Sequence, residues 1–475
     1  MTKKDKLNIT LILAADRNDP LTKRDPFQPL SLPILASVAP DNNYTFIDML
    51  WDAEKINYDT KDEIIGISFR ETAEPMAYEL ADEFLKRGKT VILGGVQPTA
   101  VPHTAIQHAN AVVIGEGEEL WPMVLDDYRN NALKDFYVCS PQKFDAQGKS
   151  FYQTKDLPDL QNLPKPIRSL FKRKYDFELT YASRGCPINC DFCTVSFVFG
   201  KKMRFRPIDD VVDEIKGFRR FYYLLDDTVF GRPHCYDYYI ELYEKIAQLP
   251  KRKYWTGQIN LDAANSEKGR EVIRKAAKAG LIYAAAGVES VNYKTLKDSG
   301  SFAKMGVGKD DDYLKKMKEN IAFIQSQGII ISGWFAIGYE TDTVQTYYDT
   351  LKFCEETNIL PVFTPVRALA GSRLWDKMEA EGRLQDSDTH VSNIRHPKLT
   401  DEEIEAAMIG SSKMGFTSKM NWKRMKFHFN LFRKSERNLN DAIYKTIFAT
   451  ITQSRMKGIV FAEIERIENK VGKKF

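Results

Sequence analysis

Residues 183–193 read SRGCPINCDFC, which places three cysteines, Cys186, Cys190 and Cys193, within eight residues. The run follows directly on a strand-like stretch, ELTYAS at 178–183, so the thiols lie where a strand gives way to a loop. Three readings are open: a disulfide scaffold, a zinc knot or an iron–sulfur cluster. A 475-residue chain with six cysteines, three of them clustered, is not a disulfide-dense secreted domain, and its thiols are expected to be reduced. A structural zinc ion needs four protein ligands, and only His234 and Cys235 offer a fourth. Iron–sulfur clusters are held by cysteine thiolates. Three thiolates on a four-iron cluster leave one iron open to a substrate or cofactor.

Working outward from that loop, residues 178–385 alternate strand-like runs (FYYLLDD, KYWTGQIN, LIYAAAGVES, IIISGWFAIG, ILPVFTPV) with helical patterns, six strand–helix pairs in all. Such a series is expected to close part way into a (β/α)6 barrel, whose reactive face is formed by the carboxyl ends of its strands. The cysteine loop then sits at the mouth. Asp226 and Asp227 close the second strand and are candidates for orienting substrate, or for capping the next turn.

Residues 1–130 show a second alternation, with ITLILAA, YTFIDML, EIIGISF, TVILGG and AVVIG as strands and EPMAYELADEFLKRG as a helix. That pattern predicts a doubly wound, Rossmann-like parallel sheet. Ligands of such sheets lie beyond the carboxyl ends of the strands. Ser68, Gly94 and Gly95 of GGVQPT, and Gly115, Glu116 and Gly117 of GEGEE fall there, and glycine permits a ligand to approach the backbone closely. Residues 131–177 have no sustained period and read as a connector. Residues 386–475 read as a helical region.

The formal net charge of +4 is small for this length and argues against nucleic acid as a partner. The amino-terminal apolar run is short and has no cleavage site, and no stretch of about 18 apolar residues is present, so a cytoplasmic protein is expected. From Lys413 onward, however, 15 Lys or Arg face 5 Asp or Glu. These bases, interleaved with aromatics in MNWKRMKFHFNLFRK, are expected on the outer face of a helical cap, with peripheral contact at an anionic membrane surface as the second reading.

The pattern C-x-x-x-C-x-aromatic-C, here Cys186, Cys190, Phe192 and Cys193, resembles that of the radical S-adenosylmethionine (SAM) enzymes. YYLLDDTVF, GVESVNYKTLK and GWFAIGYETDT follow in the order seen in the subgroup with an N-terminal cobalamin-binding-like domain, and GGVQPTAVPHTAIQHANAVVIGEGEE is similar to that domain. The resemblance implies a [4Fe–4S] cluster on the three cysteines, SAM as cofactor, a 5′-deoxyadenosyl radical, and cobalamin-dependent methylation of an unactivated carbon. It also implies a one-electron reductant protein and a small-molecule or lipid-like substrate. Cobalamin-independent cyclisation, coupling or rearrangement is the alternative, and a zinc- or cobalamin-binding module the non-enzymatic one. Phe192 and Glu289 are implied as SAM contacts, with Gln258 and Arg367 as further polar candidates. Ser68, Gly94, Gly95, Gly115, Glu116 and Gly117 would face the corrinoid. The D-x-H-x-x-G pattern of a histidine-ligated corrinoid is absent, so a corrinoid is expected without an imidazole below it. VRALAGSRLW stands where the subgroup commonly has a proline-glycine-threonine turn.

Overall fold

A computed structural model describes residues 6–16, 26–140, 144–304, 312–385, 392–435 and 439–471. The chain divides into two compact units, Met1–Asp176 with Thr194–Arg206, and Phe177–Cys193 with Pro207–Phe475.

The first unit is built on a parallel sheet of seven strands: Asn8–Leu13, Asn43–Asp48, Ile64–Ser68, Thr90–Gly94, Ala111–Ile114, Phe136–Val138 and Phe151–Gln153. Numbered along the chain they lie in the order 2-1-3-4-5-6-7, so the winding reverses between the first and third strands. Successive apolar residues of a strand point to opposite faces. Ile65, Ile67, Val91, Leu93 and Val112 therefore fill one core, while Ile9, Leu11, Ile64, Ile92 and Val113 fill the other. The helix Glu74–Lys86 covers the first of these with Ala77, Leu80, Ala81 and Phe84 at helical spacing, starts with Pro75 in its first turn, and is followed by Gly88 at φ +72°. Residues 131–177 do more than connect. Phe136, Tyr137 and Val138 are fully buried at the sheet's far edge, which makes their short strand part of the core.

In the second unit six parallel strands lie in chain order: Glu178–Thr180, Phe221–Leu224, Tyr254–Ile259, Leu281–Glu289, Ile330–Ile337 and Leu360–Pro365. Helices between them form the outer layer, the open barrel read from the alternation. The helix Glu267–Lys278 shows how local chemistry sets its start: Ser266 caps it by accepting from Gly269 N at 3.1 Å, while Val272, Ile273 and Ala276 turn inward.

Three helices end the chain: Asp401–Gly415, begun by a Thr400–Glu403 capping box, Ser418–Ser435, and the 33-residue Leu439–Val471. The last two pack against one another, with Lys445 5.7 Å from the Phe432 ring, and Lys413 of the first helix pairs with Glu468 of the last at 3.5 Å. The last helix stacks Phe448 on Phe221 and sets Tyr444 beside Tyr254. Those partners begin the second and third barrel strands, so the helical cap closes the amino end of the barrel, away from the cysteine loop. Its outer side carries Leu439, Ile443, Ile447 and Ile451, four residues apart and 41–57 % exposed. Among the described residues no helix is long and apolar enough to cross a membrane.

Candidate active site

The cysteine loop leaves the carboxyl end of the first barrel strand and is stitched to the turns after the fourth, fifth and sixth. Asp191 N donates to Ser299 O and Leu374 N to Asp191 O, both at 2.9 Å. Tyr339 Oη donates to Asp191 Oδ1 at 3.0 Å, and the Arg373 guanidinium donates to Asn189 O. Gly300, at φ +68°, passes Asn189 O so closely that a Cβ would come within 2.8 Å of it. Cys190 is buried and Cys186 and Cys193 half-buried. Burial pushes the Cys190 thiol up to about 12 against the pull of the Lys304 ammonium, and raises that of Cys186 in the same way. Among the described residues no three His, Cys, Asp or Glu side chains converge on a single ion. A four-iron cluster asks for something else, one thiolate at each of three irons, and three cysteines on one loop beside a buried cation fit that donor set.

Glu289 ends the fourth strand at φ +64°, a left-handed conformation rare for glutamate, where the pairing with the fifth strand shifts register. Its carboxylate, 9 % exposed, accepts from Lys304 Nζ at 2.6 Å. A Cβ on Gly287 would collide with that carboxylate and come within 3.1 Å of the ammonium, so the glycine is what leaves room for the pair. Burial alone would push the Lys304 ammonium down, but Glu289 and the neighbouring thiols outweigh it and hold it above the ordinary lysine value. Lys304 Nζ stands 5.7 Å from the centre of the Phe192 ring, and Phe192 meets Tyr339 edge-on at 6.3 Å. The structure thus gathers Cys186, Cys190, Phe192 and Glu289 in one place. Lys304 and Tyr339 join them and were not singled out from the sequence, because nothing local distinguishes one lysine among many.

The two acids after the second strand differ. Asp226 has no exposed surface, and its carboxylate accepts from Ala182 N at 2.7 Å, Ser183 Oγ at 2.8 Å and Tyr239 Oη at 2.7 Å. A substrate contact, expected for Asp226, is not what these surroundings provide. Asp227 is half-buried, and burial, then the charge of Asp226, push its carboxyl up to about 7 while the Gly185 N–H pulls it down. Gln258 is exposed near the end of the third strand and bonds Tyr223 of the second. Arg367 is half-buried just past the sixth strand. Cys235, weighed as a zinc ligand, is buried against its own turn, with Arg232 N donating to its sulfur at 3.0 Å.

In the first unit, Ser68, Gly94, Gly95 and Gly115–Gly117 lie together at the carboxyl ends of the third, fourth and fifth strands. Thr99 joins two of the loops: Gly115 N donates to its Oγ1 at 2.9 Å, and Oγ1 donates to Gly95 O at 2.7 Å. Gly95 and Gly115 have φ of +100° and +82°, and a Cβ on either would strike the chain itself, at Ser68 Oγ (2.7 Å) or Cys139 O (2.5 Å). Their conformation is therefore required by intramolecular packing, whatever ligand lies beyond. Glu116 is buried and ion-paired with Arg204, so its carboxylate is not presented to the cofactor edge as expected. Both histidines of this domain are engaged elsewhere. His108 Nδ1 lies 2.8 Å from Asp82 Oδ1 with its ring stacked on Tyr78, and His103 stacks on Phe144. Of the residues singled out there, Ser68 and the four glycines remain, a set of backbone groups and one small side chain that fits a corrinoid held without an imidazole ligand.

Residues 180–354 match the family model of the radical SAM superfamily. The chain is 25 % identical over 398 residues to the bacteriochlorophyllide d C-8(2)-methyltransferase of Chlorobaculum tepidum, covering 81 % of this chain and 83 % of that enzyme. It is 27 % identical over 381 residues to the bacteriochlorophyllide d C-12(1)-methyltransferase of the same organism, covering 76 % of each. In fold it is similar to the cobalamin-dependent S-adenosylmethionine radical enzyme OxsB with aqua-cobalamin and S-adenosylmethionine bound, with a TM-score of 0.66 and 14 % identity over 98 % of this chain and 80 % of that one.

Proposed function

We propose, because residues 180–354 match the radical SAM superfamily model and the chain resembles the subgroup with an N-terminal cobalamin-binding-like domain, that it is a radical SAM enzyme that methylates an unactivated carbon of an apolar polycyclic substrate. The observation that carries this reading is the cysteine loop facing the Glu289–Lys304 pair across one barrel mouth. When bound, the [4Fe–4S] cluster supplies the electron that cleaves SAM to methionine and a 5′-deoxyadenosyl radical, and a corrinoid supplies the methyl group. Cys186, Cys190 and Cys193 hold the cluster. The α-amino and α-carboxylate groups of a methionyl moiety are complementary in charge to Glu289 and Lys304, so the ligand exchanges one buried ion pair for two. Phe192 offers an aromatic face beside them. Two relatives act, by name, on bacteriochlorophyllides, which supports a tetrapyrrole or another flat, lipid-like molecule as the substrate class.

A one-electron reductant protein is the second partner. We place the enzyme in the cytoplasm, in peripheral contact with an anionic membrane surface through its last two helices. The support is the apolar row Leu439, Ile443, Ile447 and Ile451, together with Trp422, 66 % exposed between Lys419, Lys423 and Lys426 on a helix that contains no acidic residue.

The test is anaerobic. Reconstituted protein given reductant and SAM should release 5′-deoxyadenosine, and the Cys190→Ala variant should not. With hydroxocobalamin and a bacteriochlorophyllide added, mass spectrometry should find a methylated product. Deoxyadenosine formed by corrinoid-free protein, with a cyclised or coupled product and no methyl transfer, would replace methylation with that chemistry.

A further inference from the structure

Ala182, Ser183 and Gly185, just before Cys186, are held by groups from outside the loop, and Asp226 is at the centre of them. Its carboxylate receives the Ala182 N–H and approaches the hydroxyls of Ser183 and Tyr239, which lie 2.9 Å from one another. The Ala182 carbonyl accepts from Tyr238 Oη at 3.3 Å, and Gly185, at φ +95°, gives its N–H to Asp227. Tyr239 is itself fixed. It is fully buried on the helix Tyr236–Ala247, and Gly231, at φ +66°, makes room for its ring, which a Cβ there would approach to 2.5 Å.

Three donors converge on a carboxylate that no solvent or substrate reaches. An unpaired carboxylate in that position would be strongly unfavourable, so the donors and the acid hold one another in place. We propose that Asp226 is a positioning residue for the cluster loop: it fixes the main chain at Ala182 and the side chain at Ser183, and thereby the direction in which Cys186 presents its sulfur. The inference rests on the reading of Cys186, Cys190 and Cys193 as cluster ligands. It goes beyond that reading by assigning to an acid remote from solvent the task of shaping the ligand loop.

The geometry predicts different behaviour for two substitutions. In Asp226→Asn the amide oxygen still accepts from Ala182 N, while its NH2 donates to the two hydroxyls, which rotate to accept. In Asp226→Ala the frame is gone. After anaerobic reconstitution of the full chain, Asp226→Ala should bind iron and sulfide about tenfold more weakly than wild type, the scale for removing a group that orients a metal ligand. Its residual electron paramagnetic resonance signal should be broadened and insensitive to SAM. Asp226→Asn should load like wild type, with an unchanged spectrum and an unchanged response to SAM. If Asp226→Ala does not fold, as judged by circular dichroism of the apoprotein, the Ser183→Ala/Tyr239→Phe pair should broaden the signal instead. Full loading and a wild-type spectrum in Asp226→Ala, or a loss in Asp226→Asn as large as in Asp226→Ala, would overturn the assignment. Wild-type protein that takes up no iron and sulfide would instead overturn the cluster reading beneath it.

Discussion

At the scale of single residues, the mouth is governed by charges that burial makes costly and neighbours make tolerable. Glu289 is the sharpest case, held in a strained backbone conformation with one cation beside it. Replacing it with Ala should weaken SAM binding to cluster-loaded protein by about 1–3 kcal/mol in a calorimetric titration, the range for losing a charged hydrogen-bond partner. Iron content should be unchanged. Asp227 makes a prediction about pH. Its carboxyl rises from 3.8 to about 7 on folding, so the folded apoprotein keeps a proton that the unfolded chain releases. Stability is therefore greatest below pH 4 as far as this group is concerned, and is lost as pH rises through 7. Asp227→Asn should flatten that slope and, in urea melts of the apoprotein at pH 8, gain up to about 4 kcal/mol, at 1.36 kcal/mol for each pKa unit. The three cysteines were legible because their spacing is unusual in any sequence. Lys304 and Tyr239 were not, since what marks each is a partner 15 or 13 residues away that only the fold delivers.

At the scale of elements, the strand–helix alternation gave both sheets, because period 2 and period 3.6 differ plainly in runs of this length. Two elements were misread for physical reasons. The short strands Phe136–Val138 and Phe151–Gln153 lie in a stretch rich in proline and polar residues, where three-residue runs carry no periodicity. The helix Ser418–Ser435 presents Lys419, Lys423 and Lys426 on its outer face, while Arg424 has no exposed side and His428 is 1 % exposed. Arg424 donates to Gly415 O at 2.7 Å, its Nε and Nη2 are without a hydrogen-bond partner, and burial lowers its guanidinium to about 10. Four residues on, burial and then the Arg424 charge push the His428 imidazole down to about 4. An imidazole depressed in the fold stays neutral where the unfolded chain takes up a proton, so its contribution is intact above pH 6.5 and is lost as pH falls through 4. A His428→Leu variant, similar in volume and uncharged, should remove roughly 3 kcal/mol of acid sensitivity between those limits. Thermal melts at pH 7 and pH 4.5 check this: the difference in Tm between the two should shrink in the variant.

At the scale of the whole molecule, two surfaces bear on the proposed partners, and each has its own measurement. Full-length protein should sediment with vesicles containing phosphatidylglycerol and not with phosphatidylcholine alone, and salt should weaken the association as it screens lysines. Ile443→Asp/Ile447→Asp should abolish it; if that variant instead converts a dimer to a monomer with vesicle binding unchanged, the apolar row belongs to a second copy of the chain. The other surface is the glycine edge of the first unit. Its loops are explained by contacts within the chain, its acid is spent on Arg204, and both its histidines are packed and partnered. A corrinoid seated there meets main-chain groups and small side chains at Ser68 and the glycines, in keeping with the reversal of strand order, which places a ligand beyond the carboxyl ends of the sheet. Protein purified with hydroxocobalamin should therefore hold about one corrinoid per chain, as single-site occupancy of that edge requires, and its absorption spectrum should be that of a corrinoid without imidazole coordination. The double variant His103→Ala/His108→Ala should keep both the content and the spectrum, because neither ring faces the edge. A spectrum of imidazole-ligated corrinoid that vanishes in the double variant would mean that one of the two histidines leaves its stacked position to reach the metal. Loss of Tyr78 or Phe144 packing in the double variant should appear in its melting temperature alone, which separates a structural histidine from a ligand.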